Sequence, residues 1–422
     1  MGGVIAMTVI IEILEQHAED AAFLWLLRQR AVSDPHYDLT DLARLDQRLE
    51  ANLDGLRIAG EEGWRLCHEA LAIKEPGEIF TAGVLAFESG IPERMDAVLA
   101  AVVQRAELKR ALHSALGWID FERIAAPIEK LLNAEMGFLK RIGLSACAIQ
   151  RHDPGPMLVG CILHTDPRIR ARALKAAGEL GRLDMLPLVL QCLHDNDEKC
   201  RFYAGWSALL LGDPSGSIRL LRELTEAGSV YGQRACDAAV RRMDKSEALQ
   251  WLQWLARQKD TIRWAIAGYG ALGDPQVVPW LMEMMQVPAQ ARPAGESFAM
   301  ITGVDIAHED LEGEPPDGFE AGPNEDADDE NVAMDPDEDL PWPGVESIQQ
   351  WWHEHGRDFK GGERYLAGRP ISVENCRDVL ARGFQRQRIA AALELALMNP
   401  GRPLFETRAR GIYQQRLLGI GR

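Results

Sequence analysis

The sequence predicts an all-α chain: an α-solenoid of helix hairpins, interrupted by one acidic insertion and closed by a helical C-terminal cap. Three observations carry this. Small residues recur at a fixed interval in the middle third, where Gly181, Gly212, Met243 in place of a glycine, Gly273 and Gly303 stand 31, 31, 30 and 30 residues apart. Between them, apolar residues keep the period of an amphipathic helix, as in Ile169, Ala173, Ala177 and Leu180, or Ile262, Ile266, Tyr269 and Leu272. Helix-stop and helix-start residues then sit back to back in Leu211-Gly212-Asp213-Pro214 and Leu272-Gly273-Asp274-Pro275. Glycine takes the left-handed conformation past a helix end, Asp caps the next helix, and Pro suits its first turn.

Four regions follow along the chain. Residues 1–104 read as an N-terminal helical region. Its first eleven residues are apolar but have no basic segment and run into Glu12, a poor signal peptide, and Ala6 stands where myristoylation needs Ser or Thr. Residues 105–303 hold the repeats, six or seven units if Gly117 and the stretch from Gly143 to Asp153 are included. The second helix of several units opens with an acidic residue and an Arg three or four positions on: Asp166 and Arg170, Asp197 and Arg201, Asp260 and Arg263. Such pairs share a helix face.

Residues 304–344 break the rhythm with Asp, Glu, Pro and Gly, a composition that buries too little apolar surface to offset its ordering entropy. A disordered or loosely attached insertion is expected there. Periodic text resumes in residues 345–422, with a short helix through Trp351 and Trp352 and a helix pair from Val373 to about Met398, stopped by Asn399-Pro400-Gly401. This reads as a cap of the same array.

Charge narrows the function. The net charge of −18 is local, because residues 305–340 hold sixteen Asp or Glu and no Lys or Arg, which leaves 46 basic against 48 acidic residues elsewhere, a balance of −2. A body so near neutral lacks the basic footprint of a nucleic-acid binder. The seven cysteines form no CxxC pair, so reduced core thiols are expected. No run of eighteen uncharged apolar residues occurs, so no membrane span is expected, and a cytoplasmic location follows.

The stretches from Asp166 to Gly181 and from Ala271 to Leu281 resemble HEAT repeats of the short bacterial type also found in bilin lyases. In that family the Asp and Arg form a ladder between stacked units, which implies a structural role for Arg170, Arg201, Arg234 and Arg263. The flanking segments from Leu45 to Gly60 and from Gly383 to Ala396 resemble an uncharacterised family of proteobacterial HEAT-like proteins. Members are often encoded beside type VI secretion spike and effector genes, and this resemblance implies an adaptor or accessory role.

Candidate chemistry is sparse. Gly268, Gly270 and Gly273 match a dinucleotide GxGxxG, but they close a helix where the fingerprint must open one after a strand. His68-Glu69, His308-Glu309 and His353-Glu354 form no HExxH and do not recur at the repeat interval, so metal ligation is not expected. The carboxylates from Asp326 to Asp339 lack the order and central Gly of an EF-hand. Trp251, Trp254, Trp264 and Trp280 suit core packing or a protein-binding hot spot, and the near-neutral body argues against the Trp-lined DNA groove of alkylpurine glycosylases.

The strongest local signal is eight arginines between Arg377 and Arg416 against Asp378, Glu394 and Glu406. Arg382, Arg386 and Arg388, with Trp351 and Trp352, are the candidate partner-binding residues, over which the acidic insertion could lie as an electrostatic latch. The expected function is therefore a non-enzymatic protein-binding scaffold or adaptor without cofactor or metal, and the resemblance implies a secretion effector or spike component as its partner. The alternatives are a nucleic-acid-binding HEAT protein and, behind it, a metal- or bilin-dependent HEAT-like enzyme.

Overall fold

A computed structural model of the chain describes residues 10–103, 105, 107–213, 215–319, 321–322 and 334–420. Its helices, in chain order, are α1 Ile11–Ala31, α2 Leu39–Ile58, α3 Glu61–Ala70, α4 Pro76–Ser89, α5 Pro92–Val103, α6 Lys109–Trp118, α7 Phe121–Asn133, α8 Gly137–Ile149, α9 Met157–Ile162, α10 Pro167–Glu179, α11 Leu186–Gln191, α12 Glu198–Leu210, α13 Gly216–Glu226, α14 Gly232–Val240, α15 Lys245–Ala256, α16 Ile262–Leu272, α17 Val278–Met284, α18 Pro288–Thr302, α19 Val345–His355, α20 Val373–Arg382, α21 Gln385–Met398 and α22 Gly411–Leu418. The fold is all-α. Among the described residues the only named strands are β1, Tyr365–Leu366, and β2, Arg369–Pro370, an antiparallel pair with Tyr365 opposite Pro370.

The described residues divide into two compact units, one of those up to residue 180 with 406–420 and one of those between 181 and 405. In the first, α4 packs on α1 and α6, α6 on α8, and α8 on α10, while α7 and α9 pair with α8 and α10 as the other arms of hairpins. Trp25 stacks on Phe80 at 5.5 Å and Phe80 meets Trp118 edge-on at 5.5 Å, an aromatic core between α1, α4 and α6. The C-terminal helix α22 belongs to this unit and lies on α2.

In the second unit α14 packs on α16 and α16 on α18, with α12 beside α14, and each pairs with the helix before it. This is the repeat packing of a helical solenoid, in which each hairpin buries its apolar stripe against its neighbours. The predicted markers are physical: Gly181, Gly212, Gly273 and Gly303 all have φ between +66° and +93° just past the ends of α10, α12, α16 and α18. Asp166, Asp197, Asp244 and Asp274 accept bonds from backbone N–H groups of the turns they cap. Pro214 lies outside the described residues.

Gly117 plays a different part. It sits inside α6, where a Cβ would come within 2.6 Å of Ile149, so it is a close-packing glycine and not a helix stop.

The arginines that open the second helices close turns. Arg170 donates to the carbonyls of His164 and Thr165 at 3.0 and 2.9 Å, and Arg201 donates to those of Asp195 and Asn196 at 2.9 and 3.2 Å. Asp166 meanwhile pairs with Arg168 at 3.0 Å. Arg263 takes Asp337, at 2.7 and 2.8 Å, where Asp260 was expected.

The insertion is anchored at both described flanks. Arg292 pairs with Asp335 and lies over the Trp342 ring at 5.6 Å, Gly313 donates to the Trp342 carbonyl at 2.8 Å, and Leu311 and Leu340 are buried. A disordered or loosely attached insertion is expected here, and at its described ends a few apolar side chains and two Arg–carboxylate pairs hold it on α16 and α18. Residues 323–333, including Asp326, Asp328, Asp329 and Glu330, lie outside the described residues.

Candidate functional site

The arginine-rich segment does not form one surface. Arg382 is exposed and 3.4 Å from Asp378, its neighbour one helical turn back. Arg386 is half-buried and 3.9 Å from Glu296. Arg388 is fully buried, with its Nε–H donated to the Leu380 carbonyl at 2.7 Å and its Nη1 bonded to Gln385. A guanidinium spent on helix ends inside the protein cannot reach a partner, so Arg388 is corrected from a surface residue to an internal brace. Trp351 and Trp352 are half-buried and set edge-on to Phe298 at 5.6 and 6.3 Å, which fixes α19 to α18.

Two carboxylates of the insertion's described flank take partners other than those of the expected latch. Asp335 and Asp337 engage Arg292 and Arg263, not Arg382, Arg386 or Arg388.

Other sequence candidates resolve into packing. Gly268 and Gly270 lie within α16, where added Cβ atoms would meet Leu252 at 2.5 Å and Ser297 at 3.0 Å. Trp251 is buried with its Nε1–H on Glu226 at 2.8 Å, Trp264 covers Gly232, and Trp280 lies on Tyr269 at 5.1 Å. Only Trp254 of the four has an exposed ring. Burial pushes the Cys67 thiol up to about 12 and those of Cys147 and Cys376 to about 11, which keeps them protonated and unreactive.

Two clefts of the second unit are electrostatically closed. A groove of about 400 Å³ lies between α13 and the start of α15, but its Arg219 and Arg222 face Glu223 and Glu226 at 3.9 and 3.6 Å. A second, of about 290 Å³, lies beside buried Glu394, which bridges Arg241 at 3.0 Å and Arg364 at 2.5 Å.

The first unit holds what the sequence reading missed. Three consecutive second helices, α6, α8 and α10, bring together Lys109 and His113, then Arg141 and Ser145, then Arg172, Lys175 and Glu179. The spacing of three, four or seven residues sets each group on one helical face. The contacts cross from helix to helix. Arg172 donates its Nε–H to Ser145 Oγ at 3.0 Å and its Nη2–H to Glu179 at 2.8 Å, and Lys175 lies 3.1 Å from the same carboxylate. Lys109 sits 5.3 Å over the Phe138 ring, three residues before Arg141.

Burial alone would raise the Glu179 carboxyl, but Arg172, Lys175 and Arg151 pull it down to about 2, so it stays charged. One carboxylate does not balance this group. Burial, then Arg172, Lys175, Arg141 and Lys109, push the His113 imidazole down to about 3, and burial with Arg168 lowers the Arg141 guanidinium. Setting aside Arg151, which pairs with Glu406 at 3.3 Å, and counting Asp166 and Arg168 at the edge, five permanent cations meet two carboxylates.

Three buried atoms of the group, His113 Nε2, Arg141 Nε and Arg172 Nη1, have no hydrogen-bond partner among the described residues. Leaving such a group unsatisfied costs about 1–3 kcal/mol. No group of three or more His, Cys, Asp or Glu suited to a metal ion occurs among the described residues. The arrangement is chemically a set of donors with surplus positive charge. No single window of the sequence signals it, because each helix contributes only two or three of its members.

No protein-family model and no curated protein matches the chain. A crystal structure described as an engineered protein, from a structural-genomics consortium, is similar at 12% identity and a TM-score of 0.31, over 92% of this chain and 99% of that one. A likeness so slight bears on neither fold nor function. No helix of the described residues is long and apolar enough to cross a membrane.

Proposed function

We propose that the chain is a non-enzymatic HEAT-like scaffold whose second-helix face in residues 109–179 holds an acidic segment of a partner protein. The observation that supports it is the cationic stripe across α6, α8 and α10, whose charge Glu179 and Asp166 only partly offset. Stacked hairpins offer such a face without a dedicated binding domain. Charge complementarity then selects the partner and steers its approach. The resemblance of the chain flanks suggests a secretion effector or spike component as that partner, acting in the cytoplasm.

Lysine footprinting tests this. A poly-glutamate peptide added to the full chain is expected to slow acetylation of Lys109 and Lys175 while leaving Lys74 and Lys259 unchanged, read by mass spectrometry. Protection confined to the C-terminal arginine-rich segment, or produced by a duplex oligonucleotide and not by the peptide, contradicts the proposal. In the second case the nucleic-acid reading takes its place.

A further inference from the structure

We propose that Arg141, Arg172 and His113 form a discrete oxyanion site that takes a phosphate group. This rests on the scaffold reading in one respect, since it names the chemistry by which that face would recognise its partner.

The placement follows from the helix contacts. Ser145 lies one turn after Arg141 on α8 and receives the Arg172 Nε–H from α10, which brings the two guanidinium groups to one side of α8. His113 lies one turn after Lys109 on α6, and Lys109 reaches the Phe138 ring at the start of α8. All four cations act on the imidazole, so His113 shares their field.

The unspent atoms identify the ligand class. Arg141 Nε and Arg172 Nη1 can only donate, and a neutral imidazole protonated on Nε2 donates as well. Three unpartnered donors within one cationic cluster call for a compact group of acceptors. Metal cations are excluded by like charge, and a neutral ligand leaves the charge uncompensated. Guanidinium groups bind phosphate oxygens through charge-assisted bonds and are weakly hydrated, so they remain effective when half-buried. A carboxylate offers two oxygens to these three donors, whereas a phosphate offers three or four.

The site also senses its occupant. Without an anion, burial and then the surrounding cations hold His113 neutral far below its usual range, whereas a bound dianion offsets the cations and favours the imidazolium. Glu179 is the opposing group on α10, and its carboxylate is already engaged by Arg172 and Lys175.

The test is a titration of the full chain, carrying isotope-labelled histidine, with inorganic phosphate, followed through the His113 imidazole signal that H113Q removes. Saturable movement of that signal is expected, with the His113 pKa rising by at least about one unit in the complex. Arg141→Met is expected to weaken phosphate binding at least about tenfold, and Arg141→Lys to retain part of it, in proteins with unchanged thermal melting. Phosphoserine amide serves as a second arm. Tighter binding of it than of inorganic phosphate assigns the site to a phosphorylated partner side chain, and the reverse assigns it to free phosphate.

Absence of saturation, or equal binding by Arg141→Met, overturns the proposal and leaves the three donors to ordered water. Poly-glutamate footprinting at Lys109 under those conditions would show the scaffold reading surviving without the phosphate site.

Discussion

Arg28 on α1 and Asp46 on α2 form a buried ion pair with Nε 2.5 Å from Oδ1, and the C-terminal segment is tied to both partners. The Arg28 guanidinium donates to the carbonyls of Arg408 and Ala409 at 3.0 Å, and the Gly411 N–H donates to Asp46 at 2.6 Å. Five polar groups from three segments therefore satisfy one another inside the first unit.

Breaking that pair has a defined result. Asp46→Ala strands Arg28 in a buried position, and loss of one partner of such a pair costs about 3–5 kcal/mol. Hydrogen exchange is expected to show α22 opening before the rest of the first unit, and a globally lowered melt without selective opening of residues 406–420 contradicts this.

A second prediction concerns the strap of residues 364–368 in the second unit. Arg364 donates to the carbonyls of Leu272, Ala271 and Arg241 at 2.8, 3.2 and 3.1 Å, and the Tyr365 N–H donates to the Gly273 carbonyl at 2.8 Å. A Cβ on Gly273 would collide with the Tyr365 carbonyl, and its φ is +75°. Gly273→Ala is therefore expected to lose about 1–2 kcal/mol from the left-handed conformation alone, with more from the displaced strap. A urea midpoint equal to that of the parent would show that the strap yields freely.

The same glycine shows what a sequence discloses. Gly181, Gly212, Gly273 and Gly303 are legible as helix stops because left-handed backbone has a residue preference. Their second role is not, since residues 400–402 approach Gly181 and Gly212 while residues 365–368 approach Gly273 and Gly303, and a crossing chain leaves no periodic trace. Met243 breaks the pattern, and there the helix-end carbonyl of Arg241 goes to Arg364.

Local charge counting misleads for a related reason. Arg382 and Arg388 lie in the same arginine-rich stretch, yet one is solvated and the other fully enclosed. The cationic stripe shows the converse: Lys109, Arg141 and Arg172 are unremarkable within their own helices and meet only through the register of stacked hairpins.

Acidification supplies a third prediction. His113 goes from a pKa of 6.5 when unfolded to about 3 when folded, so its contribution is complete above 6.5 and is lost as pH falls toward 3. Glu179 goes from 4.5 to about 2, so its share, about 3 kcal/mol, is held above 4.5 and lost as pH falls toward 2. Stability is expected to decline in two overlapping steps, and H113Q is expected to remove the upper one. A flat profile between pH 6.5 and 4.5 in the parent protein contradicts the neutral buried histidine.

The insertion flank gives a fourth. Asp337→Asn removes the ion pair and one of the two hydrogen bonds from the half-buried Arg263, worth about 1 kcal/mol or less, and limited proteolysis near residues 334–344 is expected to quicken without a change in the global melt. Unchanged cleavage would mean that Leu340 and Trp342 hold the flank unaided.

The central claim is that partner recognition lies on the stripe of α6, α8 and α10. The most direct measurement is the affinity of a fluorescent poly-glutamate peptide at low salt for the parent chain and for Lys109→Glu, Arg168→Glu and Arg382→Glu. Weakening by at least about tenfold is predicted for the first two substitutions together, and little change for the exposed Arg382. Loss of binding with Arg382→Glu while the stripe reversals bind normally would place recognition on the C-terminal arginines and contradict the account.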